Sequence, residues 1–206
     1  MKNNDKTIIF CEGEHDSLFL KKMFDVLNIK NYRIFDQNTS DKLKQLKDAE
    51  TIEIKRFTDF NFYNTYYSYK ILVKSEAGKD KAIPLFSRNL PMCFQSNLQL
   101  ILMLDLDDAP VNLGIEKIIK KITTTRTAVR IEPNLIRKND MIYLYENAVK
   151  TKESQKTDGK FYSVLFASSL EKESGKIKSF DDSDIEGKIS KLVELHDIQN
   201  TFSLLF

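Results

Sequence analysis

Two clusters of acidic residues each directly follow a short apolar run. The first cluster, EGEHD at residues 12–16, follows the run IIFC, and the second, DLDD at residues 105–108, follows LQLILML. Each apolar run is typical of a buried parallel strand, and ligands of open α/β sheets bind at the carboxyl ends of such strands. Carboxylates gathered there from two strands would repel one another without a cation between them. The pattern therefore predicts a divalent-metal site that acts on phosphate.

The spacing of the carboxylates suits such a site. Glu12 lies at the predicted strand-to-helix turn, where Gly13 could let the backbone approach a ligand closely or take an unusual φ. Asp16 follows about one helical turn later. Asp105 and Asp107 are two residues apart, so they share one side of a strand or converge on one ion in a turn. Three or four carboxylates with open positions suit Mg²⁺ or Mn²⁺, and such ions stabilise the attacking and leaving oxygens of phosphodiester transfer.

Length and composition set the frame for these motifs. The 206 residues suffice for one α/β domain with an embellishment, or for two small domains at most. With 32 basic and 30 acidic residues the net charge is +2, which neither demands nor excludes a nucleic-acid partner. The two cysteines lack zinc-ligand spacing. The first residues do not resemble a signal peptide, and no apolar run reaches the ~20 residues of a membrane span, so a soluble, cytoplasmic protein without a membrane partner is predicted.

The elements that must position the motifs alternate between strands and helices. Asp16 or Ser17 is expected to cap the first helix, and Pro84 to open the second. Residues 161–167 fit a strand or a helix equally well. Residues 50–75 alternate in a way that predicts an antiparallel insertion leading into the strand at 70–74. Strands are predicted at 7–11, 32–35, 70–74, 98–104, 127–131 and 141–145, and helices at 16–28, 40–46, 84–90, 113–123 and 184–196.

Taken together, these motifs resemble the Toprim domain, the metal-dependent module of topoisomerases, bacterial primases and several nucleases. The first Toprim motif, a glutamate and a glycine after the first strand, matches Glu12-Gly13, and an acid three residues after the glycine, frequent in the nuclease members, matches Asp16. The second motif, Asp-x-Asp after a later strand, matches Asp105 and Asp107. The Gly78-Lys79-Asp80 turn resembles small stand-alone Toprim proteins and the overcoming-lysogenization-defect nucleases.

The resemblance implies a fold and a set of roles. The expected fold is α/β: a Toprim-like, Rossmannoid, mostly parallel sheet flanked by helices, with an antiparallel β insertion and a small C-terminal extension. The core would span residues 1–136, with 30–69 inserted, and residues 137–206 would form an extension of unknown role. Glu12 and Asp16 would be catalytic, and Gly13 and Lys79 would contact the cofactor or phosphate. Glu12, Asp105 and Asp107 would hold Mg²⁺ or Mn²⁺.

Simpler interpretations accompany several of these residues. Asp16 is as well explained as a helix cap, Lys79 as a solvated surface lysine, and the acids at 181–186 as partners of a helix dipole. Basic residues at 117–121 and 126–138 could form a phosphate-binding stripe or a solvated face. Aromatic residues at 57–69 could stack on bases or form cross-strand pairs.

Three functions remain open from the sequence. The leading hypothesis is a small metal-dependent nuclease or other enzyme that processes DNA or RNA, since the chain has no room for the extra domains of a topoisomerase or a bacterial primase. The second is a non-catalytic Toprim-like module that binds nucleic acid or a protein in a larger complex. In either case the possible partners include nucleic acid, another protein or a second copy of the chain. The third is a nucleotide-sugar transferase, which would leave Glu12-Gly13 unexplained.

Overall fold

The computed structural model describes residues 6–35, 69–94, 98–126, 128–152, 159–175 and 184–206. The strands within these ranges are β1 (Lys6–Cys11), β2 (Tyr32–Phe35), β3 (Ile71–Ser75), β4 (Leu98–Asp105), β5 (Val129–Lys138), β6 (Ile142–Thr151) and β7 (Gly159–Phe166). The helices are α1 (Glu14–Val26), α2 (Lys79–Asn89), α3 (Val111–Thr125), α4 (Leu170–Gly175), α5 (Ile185–Glu194) and α6 (His196–Ser203), and a 3₁₀ turn covers Leu90–Phe94.

The described strands form one seven-stranded sheet in the order β2-β3-β1-β4-β7-β6-β5. Strands β2, β3, β1, β4 and β7 run parallel, whereas β6 is antiparallel to β7 and β5 is antiparallel to β6. Helices cover both faces of this sheet, as in Rossmann-like folds. The predicted α/β class with a mostly parallel sheet is therefore confirmed.

The central strands are buried on both faces, which explains why they are continuous apolar runs. In β1, Ile8 and Phe10 pack in one core with α2 and α3, while Ile9 and Cys11 pack in the opposite core with α1, α5 and α6. Neighbouring strands β1 and β4 are thus followed by helices on opposite faces. This divergence leaves a crevice at their carboxyl ends, the place where α/β sheets bind ligands.

The antiparallel part of the sheet lies at the opposite end from β2. Edge strand β5 pairs with β6 and contains Pro133, a residue that sheets tolerate on an edge because it donates no ladder hydrogen bond. Residues 161–167, which periodicity left open, belong mainly to strand β7, and β7 lies beside β4 in the main sheet. The region expected as a C-terminal extension therefore supplies strands to the same sheet that carries the acidic motifs.

Two predicted helix starts are wrong. The cap of α1 is Gly13, with Asp16 in the first turn rather than at the cap. Helix α2 begins at Lys79, five residues before the predicted start, and Pro84 lies inside it. The earlier start buries Ala82 and Ile83 against the sheet, and this burial offsets the backbone hydrogen bond that proline cannot donate.

Other predictions fall outside the described residues. The helix at 40–46 and nearly all of the predicted insertion lie in residues 36–68, and the acids at 181–183 are likewise outside. Asp184 is described: its side chain accepts a hydrogen bond from the Gly187 N–H at 3.0 Å, so it caps α5 as the helix-dipole interpretation expected. No helix in the described part of the chain combines the length and apolar character that a membrane span requires.

Candidate functional site

The turns after β1, β3 and β4 meet at the carboxyl edge of the sheet. The turn after β3 is tied to the turn after β1 by two backbone hydrogen bonds, from the Glu76 N–H to the Cys11 carbonyl at 3.0 Å and from the Gly78 N–H to the Glu12 carbonyl at 2.8 Å. Gly78 has φ +94°, a conformation that a side chain would strain. This glycine lets the chain turn directly into α2, whose first residue, Lys79, faces the acidic motifs.

Glu12 connects the turns after β1 and β4. Its Oε1 accepts a hydrogen bond of 2.7 Å from the backbone N–H of Asp105 and lies 3.7 Å from the Lys79 Nζ. Only 16% of the Glu12 side chain is exposed. This burial raises the pKa of the Glu12 carboxyl, although the Asp105 N–H and the Lys79 ammonium oppose the shift. A carboxylate with a raised pKa holds a proton more readily than an ordinary one.

The turn after β4 holds two aspartates in an unusual backbone conformation. Asp107 has φ +50° and Asp108 has φ +63°, and the Ala109 N–H closes the turn by donating to the Leu106 carbonyl at 2.9 Å. The positive φ angles match a type I′ turn, which favours glycine, asparagine and aspartate. For an L-residue the left-handed region costs roughly 1–2 kcal/mol. Residues held in this region often cluster at functional sites.

Each aspartate of this turn pairs with a lysine from a different helix. The Lys79 Nζ of α2 donates to Asp107 Oδ2, and the Lys172 Nζ of α4 donates to Asp108 Oδ2. The second pair is largely exposed and contributes little to stability. The first pair places one ammonium between Asp107 and Glu12, so carboxylates from the two sequence motifs share a single cation.

Asp105 completes the group at the end of β4. Asp105 pairs with Phe166 of β7 in the sheet, and its Oδ1 atom is buried. Asp105 and Asp107 line the same cavity as Lys79. The structure therefore brings together four of the predicted site residues: Glu12, Lys79, Asp105 and Asp107.

The donor set is compatible with magnesium bound through few protein ligands. No group of three or more histidine, cysteine, aspartate or glutamate side chains in the described ranges is arranged as a ready-made metal cage. However, Mg²⁺ is usually held by one or two carboxylates, together with waters and substrate phosphates. Glu12 and Asp107 provide two carboxylates around a position that already accommodates a cation, the Lys79 ammonium.

No protein-family model, curated protein or solved structure matches this chain.

Asp16 and Gly13 shape the turn that presents Glu12. The Asp16 side chain is buried, and its Oδ2 accepts hydrogen bonds of 2.9 Å from the backbone N–H groups of both Glu12 and Gly13. Gly13 does not have the unusual φ that was considered, because its φ is −156°, an extended conformation open to any residue. A Cβ added at Gly13 would meet nothing within 4 Å, so space remains for a ligand to approach the backbone. These contacts make Asp16 a positioning residue, and its direct catalytic role stays a prediction.

Replacing Asp16 with alanine is expected to lower the free energy of unfolding by about 1–2 kcal/mol, as for loss of a helix-capping side chain. Asp16→Asn should lose less, since its amide oxygen can still accept from the two N–H groups. Denaturant unfolding of the three proteins measures the difference. Equal unfolding free energies for Asp16→Ala and the natural protein would contradict the positioning role.

The basic residues at 126–138, for which the sequence left open a phosphate-binding stripe or a solvated face, have partners within the chain at three positions. Arg126 donates to the Ser87 and Arg88 carbonyls at the end of α2, at 3.0 and 2.8 Å. Arg130 and Arg137 pair with Glu132 and Asp197, at 3.2 and 3.6 Å. These three arginines therefore each have a local structural partner.

Sequence reasoning missed the pairing of Lys172 with Asp108 and included Lys117 only within the basic run at 117–121. Lys172 lies far along the chain from the acidic motifs and pairs with Asp108 because α4 follows β7, the neighbour of β4. Lys117 lines the cavity beside Asp105. Its position on α3, the helix that follows the second acidic motif, was a signal for that placement.

Proposed function

We propose that this protein hydrolyses phosphodiester bonds of nucleic acid with Mg²⁺ or Mn²⁺, at a Toprim-like site formed by Glu12, Asp105 and Asp107. The observation that carries the proposal is the convergence of Glu12 and Asp107 on one cation position at the β1-β4 crevice. A bare pair of carboxylates would repel a phosphate, whereas the same pair around a divalent ion attracts it. The order of the two motifs along the chain agrees with the Toprim resemblance.

In this proposal Glu12 and Asp107 hold the metal, with Asp105 beside them. The metal would neutralise charge on the phosphate and stabilise the attacking and leaving oxygens. The chain itself supplies the orientation: the Asp105 N–H fixes Glu12 Oε1, and the strained turn directs Asp107 towards the same point.

Glu12 is also the best-placed group for moving a proton. The Glu12 carboxylate would accept the proton of a water molecule as the water oxygen attacks phosphorus. The bond between phosphorus and the leaving oxygen then breaks, and that oxygen takes a proton from solvent. Lys79, released from Asp107, would face the phosphate from the first turn of α2.

A specific observation favours the second candidate, a non-catalytic module that binds nucleic acid or a partner protein. Lys79 already neutralises Glu12 and Asp107 within the chain. A site that works without metal would keep this ion pair permanently and would use the surrounding lysines for binding alone.

Cleavage and binding assays separate the two candidates. The natural protein and Asp107→Asn are incubated with single-stranded DNA, double-stranded DNA and RNA, in Mg²⁺, Mn²⁺ or chelator. The proposal predicts cleavage that needs metal and falls by at least about 100-fold in Asp107→Asn, because this variant loses one of the two carboxylates that hold the metal. Salt-dependent filter binding without cleavage would support the non-catalytic module. Neither binding nor cleavage of any of these nucleic acids would overturn both the nuclease and the nucleic-acid-binding module, and would leave only the module that binds a partner protein.

A further inference from the structure

A cavity of about 290 Å³ opens beside the candidate site, between α2 and α3. Its volume is near the lower end of the roughly 300–1,000 Å³ that small-molecule sites occupy, which is room for one nucleotide-sized group. The cavity shares Lys79, Asp105 and Asp107 with the site, so a ligand that fills it reaches the carboxylates.

The floor of the cavity is apolar and well packed. Ile83 of α2, Leu106 of the turn after β4 and Ile118 of α3 all line it, and they are 2%, 5% and 6% exposed. A Cβ at Gly114 would lie 2.4 Å from Leu106 Cδ2, so the glycine lets Leu106 lie close against α3. Rigid aliphatic side chains of this kind make a suitable surface for the flat face of a base.

The rim of the cavity carries cations. Lys79, Lys117 and Lys121 all line it. Lys121 pairs with Asp80 at 2.9 Å, and Lys79 pairs with Asp107. Lys117, by contrast, is exposed and forms no ion pair with any residue in the described ranges. This lysine on the open side of an apolar pocket is available to a phosphate.

We propose that this cavity binds the nucleoside next to the reacting phosphate, with the base on Ile83, Leu106 and Ile118 and a flanking phosphate on Lys117. The inference rests on the proposed function, because the shared carboxylates fix where the reacting phosphate lies. The cavity would make one nucleotide the unit that the enzyme recognises. Apolar contact would hold its base and positive charge would hold its phosphate, whereas an extended backbone would be held by charge alone.

Titration calorimetry with two small probes tests this site. Nucleoside monophosphates and inorganic phosphate are titrated into the natural protein in Mg²⁺, where we expect the nucleotides to bind at least about tenfold more tightly. Ala109→Leu, which projects from the half-buried rim into the cavity, should remove that advantage and leave phosphate binding unchanged. Lys117→Met should weaken nucleotide binding several-fold. Lys120→Met, on the same helix but outside the cavity lining, is the matched control and should bind as the natural protein does.

The outcomes separate this inference from the proposed function. Equal affinities for nucleotides and phosphate in the natural protein would overturn the nucleoside site, even if nucleic acid is cleaved. Nucleotide binding that Ala109→Leu abolishes, in a protein that cleaves nothing, would keep the site and refute the nuclease. Circular dichroism confirms that each variant is folded, and Lys117→Met gives an independent result if Ala109→Leu does not fold.

Discussion

Glu12→Gln is expected to lose metal-dependent cleavage by a factor of about 10²–10⁴, the contribution typical of a positioned general acid or base. Glutamine keeps an oxygen that can accept from the Asp105 N–H, so the turn should retain its shape. It cannot take a proton from water, and it offers a metal no negative charge. Initial rates of oligonucleotide cleavage, measured at saturating Mg²⁺, give the size of the loss.

The same substitution should stabilise the fold at neutral pH. Burial raises the folded-state pKa of Glu12 above the unfolded value of about 4.3, so the folded state binds its proton more tightly. Stability therefore falls as pH rises from the unfolded pKa through the folded pKa, and it stays lower above both. Glu12→Gln removes this loss of stability, because glutamine carries no charge to bury. Its thermal midpoint should exceed that of the natural protein at pH 7, and the difference should shrink towards pH 4.

Glu14→Gln is the matched control, because Glu14 is an exposed acid in the same turn. It should retain the cleavage rate of the natural protein. Full activity in Glu12→Gln, or an equal loss in both variants, would show that Glu12 has no special role in the chemistry.

The sequence predicted the positions of the acidic motifs well because strand ends are determined by local pattern. The residues directly before Glu12 and Asp105 are apolar and buried, apart from Gln99 in the longer run, which is typical of central parallel strands whose carboxyl ends lie at one sheet edge. The sequence also predicted β2, β3 and the beginnings of the antiparallel strands β5 and β6, although both strands extend well beyond the predicted segments.

The contacts across the site could not be predicted from local pattern. The Lys79 start of α2 depends on burial of the helix against the sheet and on the positive φ of Gly78, which tertiary structure imposes. The left-handed turn at Asp107 also escaped prediction, because two consecutive aspartates are compatible with a strand, a helix start or a turn. Asp16 is not the cap residue itself but the third residue of α1, whose side chain accepts hydrogen bonds from the Glu12 and Gly13 N–H groups as in a capping box.

Lys79→Met should produce two opposite effects, tighter metal binding and slower cleavage. The lysine now supplies the positive charge between Glu12 and Asp107. Methionine has a comparable unbranched side chain without the charge, so a divalent ion would enter without displacing an ammonium. In the natural protein the metal must first break the ion pairs of Lys79, which are stronger in a partly buried site than in water. Without them we expect the affinity for Mn²⁺ to rise about tenfold. Cleavage should fall at least tenfold, since no ammonium remains to face the phosphate.

Thermal unfolding measures metal binding in this variant without any substrate. Without metal, Lys79→Met should unfold at a lower temperature than the natural protein, because Glu12 and Asp107 are left repelling each other. Added Mn²⁺ should raise its midpoint by more than it raises that of the natural protein, since stabilisation grows with the ratio of ligand concentration to Kd. Lys81→Met, an exposed lysine of the same helix, is the control and should respond as the natural protein does. An equal or smaller metal-induced shift in Lys79→Met would show that the ammonium and the metal do not compete for one position. That result would rule out a cation site between the Glu12 and Asp107 carboxylates.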